Sequence, residues 1–192
     1  MEKLTGLKKI KTAIFISGAG SNLKNILKFS KIKKSPISVN LIISNTHLAN
    51  GLRFADQFKI KKKIFNFINS KEAEKNILLL LKKENIRFIC LAGFMKILSK
   101  NFIKKFDGKI INIHPSLLPK YKGLNTHTRA IKNKDKFSGC SVHYVTKKLD
   151  SGKIILQKKV KITAKDNPIS LKKKILKQEH KLYPAAIMKI FN

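Results

Sequence analysis

The feature of this chain that most constrains its fold is a repeated alternation of short apolar runs with longer amphipathic segments. The short runs predict β-strands, and five of them occupy residues 13–16, 39–43, 63–67, 88–91 and 109–113. Apolar residues at helical spacing follow Ser21, and further helices are predicted over about 48–58 and 71–84. Strands that alternate with helices in this way predict a doubly wound, Rossmann-like α/β fold, in which helices cover both faces of a mainly parallel sheet.

The pattern changes in the last third of the chain. After a predicted helix at 125–133, two β-rich runs at 140–145 and 154–160 are joined by a short link and predict an antiparallel extension of the sheet. An amphipathic segment at 169–190 predicts a final helix that packs back onto the sheet. At 192 residues, without an internal repeat or linker, we expect a single domain over residues 1–192.

The charge of the chain is strongly one-sided. Lys and Arg number 43 against 10 Asp and Glu, a formal charge of +33 that would attract nucleic acid, anionic lipid or a phosphorylated small molecule. All but three of the basic residues are Lys, whereas nucleic-acid readers favour the planar fork of Arg. The aromatic residues lie inside apolar runs and not among exposed arginines. We therefore attribute the charge to compositional bias and expect no nucleic-acid partner.

Targeting, membrane and metal signals are weak. The apolar run that ends at Ile16 is shorter than the roughly 7 to 15 residues of a secretory signal, and no run approaches the roughly 20 residues of a membrane span. Cys90 and Cys140 lie apart in apolar runs, and no two histidines have the spacing of metal ligands. The sequence predicts a cytoplasmic enzyme with no metal and no membrane association.

A glycine-rich loop joins the first predicted strand to the first predicted helix. It reads Ser-Gly-Ala-Gly-Ser-Asn over residues 17–22, and the helix N-terminus that follows it is a favourable anion site. The loop is not a dinucleotide fingerprint, because position 23 is Leu, nor is it a P-loop. The pattern favours a phosphomonoester. A tight turn in which Ser21 or Asn22 caps the helix remains open.

Asn112 and His114 lie two residues apart at the end of a predicted strand, so their side chains point to the same face. Pro115 ends the strand and places the pair at the carboxyl edge, where open α/β sheets bind ligands. An amide donor and an imidazolium aimed at one point suit the oxyanion of an acyl transfer. A capping Asn and a hydrogen-bonded His remain the structural alternative.

Three further residues are candidates for the same site. Asp150 lies on a loop between two later strands, where it would raise the pKa of His114 and accept a proton, although a plain Asp-Ser-Gly turn is also possible. His127 and His143 are weaker candidates. The neighbours of His143 in sequence, Tyr and Val, are typical of strand interior.

Six ordered motifs, which span nearly the whole chain, resemble those of the phosphoribosylglycinamide formyltransferases, the folate-dependent transferases of purine synthesis. The motifs occupy residues 16–22, 91–98, 112–121, 141–146, 149–150 and 178–184. The resemblance implies the formyltransferase fold, with a ribonucleotide-binding N-terminal half and a folate-binding C-terminal half. It also implies small-molecule substrates and a monomer or homodimer.

The resemblance further implies a reaction and a role for each residue. The amine of glycinamide ribonucleotide would attack the formyl carbon of 10-formyltetrahydrofolate, the co-substrate, through a tetrahedral oxyanion intermediate. Asn112 and His114 would stabilise that oxyanion, and Asp150 would keep His114 protonated and assist proton transfer. The other implied contacts are the substrate phosphate (Gly20, Ser21, Asn22), the glycinamide end (Glu179) and folate (Lys71, Met95, Lys96, Ile97, Leu98, Asn112, Thr146, Lys147, Lys148, Leu149, Asp150).

The sequence departs from the family pattern at four positions. Lys71 and Lys96 stand where the family often has Arg, Lys122 stands in place of Pro, and Asn125 in place of His. Two relatives with the same core, methionyl-tRNA formyltransferase and the hydrolase formyltetrahydrofolate deformylase, carry an extra domain for which we expect no room. The deformylase and, from another class, a basic nucleic-acid-binding protein are the alternatives.

Overall fold

The computed structural model describes residues 9–191, in which seven strands form one sheet in the order β3-β2-β1-β4-β5-β6-β7. The strands are β1 (Ile10–Ile16), β2 (Ile37–Ser44), β3 (Lys61–Ile64), β4 (Phe88–Leu91), β5 (Lys109–His114), β6 (Phe137–Tyr144) and β7 (Ile154–Lys161). The helices are α1 (Ser21–Ser30), α2 (Arg53–Gln57), α3 (Ser70–Lys83), α4 (Lys100–Lys105), α5 (Thr126–Lys132) and α6 (Pro168–Phe191). The expected single domain includes residues 1–8 and 192, which lie outside the described residues.

The predicted fold class is confirmed. Strands β1 to β5 pair in parallel, while β6 pairs antiparallel with β5 and β7 pairs antiparallel with β6. Across the β5–β6 pair, Asn112 lies opposite His143 and His114 lies opposite Ser141. This register brings residues 27 or more positions apart in sequence to the same edge of the sheet.

Apolar side chains cover both faces of the sheet, as the continuous apolar runs of β1 and β2 require. Ile14 and Ile16 of β1 belong to a core that includes residues of α1 and α6, and Ala13 and Phe15 belong to a second core with α3 and α4. Tyr183 of α6 is fully buried, and its hydroxyl donates to the Leu91 carbonyl at 2.9 Å. The final helix is thereby fixed to the end of β4.

The structure corrects the predicted elements in three places. Strand β3 ends at Ile64 and not at residue 67, because it is an exposed edge strand whose Lys residues give no apolar signal. The predicted helix at 48–58 is a 3₁₀ turn, Asn50–Leu52, followed by the short α2. Helix α4, which the sequence did not predict, begins where the Ser99 side chain accepts a hydrogen bond from the Phe102 N–H. Within residues 9–191, no helix is long and apolar enough to cross a membrane.

Candidate active site

The glycine-rich loop lies at the carboxyl edge of the sheet, between β1 and α1. Gly20 has a φ of +73°, and a Cβ at this position would lie 2.7 Å from the Cα of Gly51. Gly51 also donates its backbone N–H to the Gly18 carbonyl at 2.9 Å. Only glycine permits this approach of two backbones, and it fixes the loop against the 3₁₀ turn before α2.

The N-terminus of α1 follows this loop and is not capped by any side chain of the described residues. The proposed alternative, in which Ser21 or Asn22 caps the helix, is therefore wrong. Asn22 instead donates its amide to Glu179 Oε2 at 2.6 Å, and Asn22 Oδ1 is buried with no hydrogen-bond partner in the described part of the chain. Burial raises the pKa of Glu179. The first turn of α1 therefore presents free backbone donors beside a buried amide oxygen and a buried carboxyl group whose pKa is raised.

Asn112 and His114 lie within the last three residues of β5, and their side chains face the same side of the sheet, as the sequence predicted. Asp150 joins them from the loop between β6 and β7, with its Oδ2 3.4 Å from His114 Nδ1. Asp150 has a φ of +44°, an uncommon conformation for a residue with a side chain. The Gly123 N–H donates to Asp150 Oδ2 at 2.9 Å and holds the carboxylate in place.

His143 also belongs to this cluster, although the sequence made it only a weaker candidate, with neighbours typical of strand interior. Its side chain is 2% exposed, and its Nε2 lies 3.5 Å from Asp150 Oδ1 and 3.3 Å from the Asn112 amide nitrogen. The signal that could have found it is the antiparallel register, which places His143 directly opposite Asn112. That register depends on contacts between distant segments and cannot be read from local periodicity.

Each imidazole of the cluster has one nitrogen fixed by a backbone carbonyl. His114 Nε2 lies 2.8 Å from the Tyr121 carbonyl oxygen, and His143 Nδ1 lies 2.9 Å from the Tyr144 carbonyl oxygen. A carbonyl oxygen can only accept, so these two nitrogens carry the protons of the neutral rings. The other two nitrogens face the Asp150 carboxylate, and the three groups are therefore arranged to share one additional proton.

The environment lowers the pKa of both His114 and Asp150 below the values of the isolated groups. The pKa of His114 is lowered, because burial outweighs the raising effects of the Tyr121 carbonyl and Asp150. The expected net increase in the pKa of His114 is therefore wrong, although Asp150 acts in the expected direction. Burial raises the pKa of Asp150, but hydrogen bonding to His143 and Gly123 lowers it more in total. An ionised carboxylate beside a neutral imidazole is the favoured state near pH 7.

These groups line a cavity of about 760 Å³ at the carboxyl edge of the sheet. A volume of this size is typical of small-molecule sites. Most of the residues expected at the site share its wall: Asn22, Met95, Lys96, Ile97, Leu98, Asn112, His114, Thr146, Lys147, Lys148, Leu149, Asp150 and Glu179. His127 and His143 line it as well. The cavity is polar at the Asn22–Glu179 end and apolar along the loop that contains Met95 and Ile97.

Three expected residues do not line this cavity. Gly20 and Ser21 lie at the adjacent N-terminus of α1, and only the next residue, Asn22, reaches the wall. Lys71 is an exposed residue in the first turn of α3 and lines a different groove, between α3 and α4. A ligand in the cavity would have to extend out of it to meet Lys71.

The described residues offer little to a metal ion. No group of three or more His, Cys, Asp or Glu side chains in residues 9–191 is arranged to hold one. Cys90 and Cys140 are both buried, and burial raises the pKa of the Cys140 thiol to about 12. Burial therefore disfavours the thiolate form of Cys140 near pH 7.

Comparison with known proteins identifies the relatives of this fold. A family model described as "Formyl transferase" matches residues 10–187. The phosphoribosylglycinamide formyltransferase of Haemophilus influenzae is 42% identical over 180 residues, which cover 92% of this chain and 85% of that protein. The crystal structure of phosphoribosylglycinamide formyltransferase from Brucella melitensis matches with a TM-score of 0.90 at 38% identity, over 95% of this chain and 96% of that one.

A longer relative has the same region as one part of its chain. The human trifunctional purine biosynthetic protein adenosine-3 is 39% identical over 183 residues. These residues cover 94% of this chain but 18% of that protein. The matched region spans 14% to 18% of the length of the trifunctional proteins that resemble this chain.

Proposed function

This chain belongs to the formyl transferase family, and on that premise we propose that it transfers the formyl group of 10-formyltetrahydrofolate to the amine of glycinamide ribonucleotide, a step of purine biosynthesis. The observation that carries the proposal is a single cavity in which Asn112, His114 and Asp150 lie between a polar and an apolar end. An enzyme that transfers a group between two substrates must bind one substrate at each end of its site, so that their reacting groups meet beside the catalytic residues. Transfer of one carbon between two amines needs no redox partner.

The polar end fits the ribonucleotide. The uncapped N-terminus of α1, with Gly20, Ser21 and Asn22, would bind the phosphate through backbone N–H groups. Asn22 Oδ1 has no hydrogen-bond partner within the described chain and would accept one from a hydroxyl or amide of the substrate. Glu179, held by Asn22, would contact the glycinamide end.

The apolar end fits the flat rings of folate. Met95 and Ile97 are largely exposed on one wall, and Leu149 is half exposed on the opposite loop. A flat ring system that covers these exposed apolar side chains removes apolar surface from water, which favours binding. The folate carboxylates would meet Lys96, Lys147 and Lys148 at the rim, and Lys71 could contact only the outer end of the folate tail.

The reaction would begin when the substrate amine attacks the formyl carbon. A bond forms between nitrogen and carbon, and the formyl oxygen gains negative charge. The Asn112 amide would donate a hydrogen bond to this oxygen, a contact that is stronger in the transition state than in the ground state. The negative charge would also raise the pKa of the adjacent His114, whose ring starts neutral.

His114 and Asp150 would then move the proton that the attacking amine loses. His114 Nδ1 and the Asp150 carboxylate face each other at 3.4 Å, longer than a tight ion pair, so each can accept a proton. The proton would pass to the folate nitrogen as its bond to the formyl carbon breaks. No proton is gained or lost in the whole reaction, which suits a buried cluster that can take up one proton and release it again.

The test is the release of tetrahydrofolate from 10-formyltetrahydrofolate, measured with and without glycinamide ribonucleotide. We expect release only when the ribonucleotide is present, and formylated ribonucleotide in equal amount. Release at the same rate without it would contradict the proposal and indicate a deformylase. Glu179→Gln should raise KM for the ribonucleotide, and the matched control Glu84→Gln, on a partly buried residue that pairs with Lys61 outside the cavity, should not.

A further inference from the structure

One short loop, residues 120–125, contacts both members of the His114–Asp150 pair through its backbone. The Tyr121 carbonyl accepts from His114 Nε2 at 2.8 Å. Two residues later, the Gly123 N–H donates to Asp150 Oδ2 at 2.9 Å. The path of this backbone therefore sets the orientation of the His114 ring and its 3.4 Å separation from the carboxylate.

The path of the loop is conformationally demanding. Tyr121, Gly123 and Asn125 all have positive φ angles, of 53°, 75° and 57°. Residues with a side chain adopt this conformation at a cost, and they keep it only where surrounding contacts hold them. The loop must therefore be held from outside the cavity.

Three side chains supply these contacts. Arg129 on α5 donates to the Lys122 carbonyl at 2.8 Å, and its guanidinium lies 4.9 Å from the centre of the Tyr121 ring. The Tyr121 hydroxyl donates to Asp135 Oδ2 at 2.8 Å. The Asp135 side chain is only 14% exposed, and its backbone N–H is bonded to the Ala130 carbonyl of α5. None of the three side chains lines the cavity.

We propose that Arg129, Tyr121 and Asp135 form a brace that positions His114 and Asp150 for proton transfer through the backbone of residues 120–125. This inference rests on the proposed formyl transfer, because that reaction requires proton transfer by His114 and Asp150. The three are positioning residues, because they do not reach the substrates. Loosening the brace should lower kcat and leave KM for both substrates within about twofold.

The brace should also affect titration of the pair. The Tyr121 carbonyl raises the pKa of His114, and the Gly123 N–H lowers the pKa of Asp150. A looser loop weakens both bonds, so the pKa of Asp150 should rise and the acidic limb of the kcat profile should move to higher pH. His143 and Arg129 also act on His114, and His127 interacts electrostatically with it. Arg129 is therefore best replaced by Lys, which keeps the charge and loses the planar fork.

The experiment compares Tyr121→Phe, Arg129→Lys and the double variant with the wild type. Tyr121→Phe keeps the ring under Arg129 and removes the hydroxyl that Asp135 holds. The matched control is Arg87→Lys, on an exposed arginine paired with Asp107 outside the cavity. We expect about a tenfold loss of kcat in the double variant, since small misplacements of reacting groups are costly, and wild-type kcat in the control.

A second readout does not depend on activity. In protein labelled with ¹⁵N-histidine, the His114 Nε2–H bonded to Tyr121 should give a protected NMR signal that broadens or shifts in the double variant. Unchanged kcat, unchanged pH profile and an unchanged His114 signal in the double variant would overturn the brace. A rise in KM without a fall in kcat would also overturn it. A wild-type protein without ribonucleotide-dependent release would instead refute the proposed function, and the NMR signal would still test the brace.

Discussion

Replacing His143 by Leu should lower the rate of formyl transfer and move its pH dependence. The imidazole is 2% exposed, and its Nε2 lies 3.5 Å from the Asp150 carboxylate and 3.3 Å from the Asn112 amide. Leu has a similar volume, so the variant tests the polar contacts and not the filling of the core.

The magnitude follows from the loss of a hydrogen-bonding neighbour of a charged group, which is worth about 1.5–3 kcal/mol. If the transition state loses this stabilisation and the bound ground state does not, kcat falls by about tenfold to a hundredfold. The neighbouring His143 lowers the pKa of Asp150, so its removal raises that pKa. A carboxylate that must be ionised to accept a proton then loses activity at a higher pH as the solution is acidified.

The assay is kcat for tetrahydrofolate release between about pH 5 and pH 9, with saturating substrates. His47→Leu, on an exposed histidine outside the cavity, is the control and should match the wild type. A His143→Leu enzyme with kcat within twofold of wild type and the same acidic limb would refute the role assigned to His143, whatever happened to its melting temperature.

Two further predictions concern stability. Gly20→Ala should destabilise the fold by about 1–3 kcal/mol, because residue 20 has a positive φ and a Cβ there would lie 2.7 Å from Gly51 Cα. Chemical denaturation measures the change in the free energy of unfolding. Stability equal to wild type would show that the two loops do not need this close approach. Asp166→Asn should lower the melting temperature at pH 7, because hydrogen bonds to Lys174 and Thr163 hold the pKa of Asp166 below its ordinary value of 3.8. That stabilisation is present above the unfolded pKa and lost as the pH falls through the folded one, so the difference between variant and wild type should shrink below about pH 4; a difference that grows in acid would contradict this reasoning.

Local pattern was sufficient for most of the fold. The apolar runs of the buried parallel strands and the amphipathic segment of α6 gave elements within a few residues of those observed, because burial on two faces leaves a strong signal. The pattern failed at β3, where edge exposure replaces apolar residues by Lys, and at the short α4. In both places tertiary context determines the element.

The candidate site was predictable where its residues share a strand or a motif, and not where they meet by packing. Asn112 and His114 could be paired by strand periodicity alone. His143 could not, because its place opposite Asn112 depends on the register of β5 with β6. The lowered pKa of His114 was also missed, because burial, which the sequence does not show, outweighs the nearby carboxylate.

The central claim is that His114 and Asp150 carry out proton transfer during formyl transfer. Its most direct test is the single-turnover rate of formyl transfer in Asp150→Asn and His114→Ala, beside the control Asp107→Asn, whose carboxylate is exposed and outside the cavity. We predict a loss of about a hundredfold or more in each of the two variants, the scale for a positioned acid or base, and none in the control. Rates within about threefold of wild type in both variants would contradict the account.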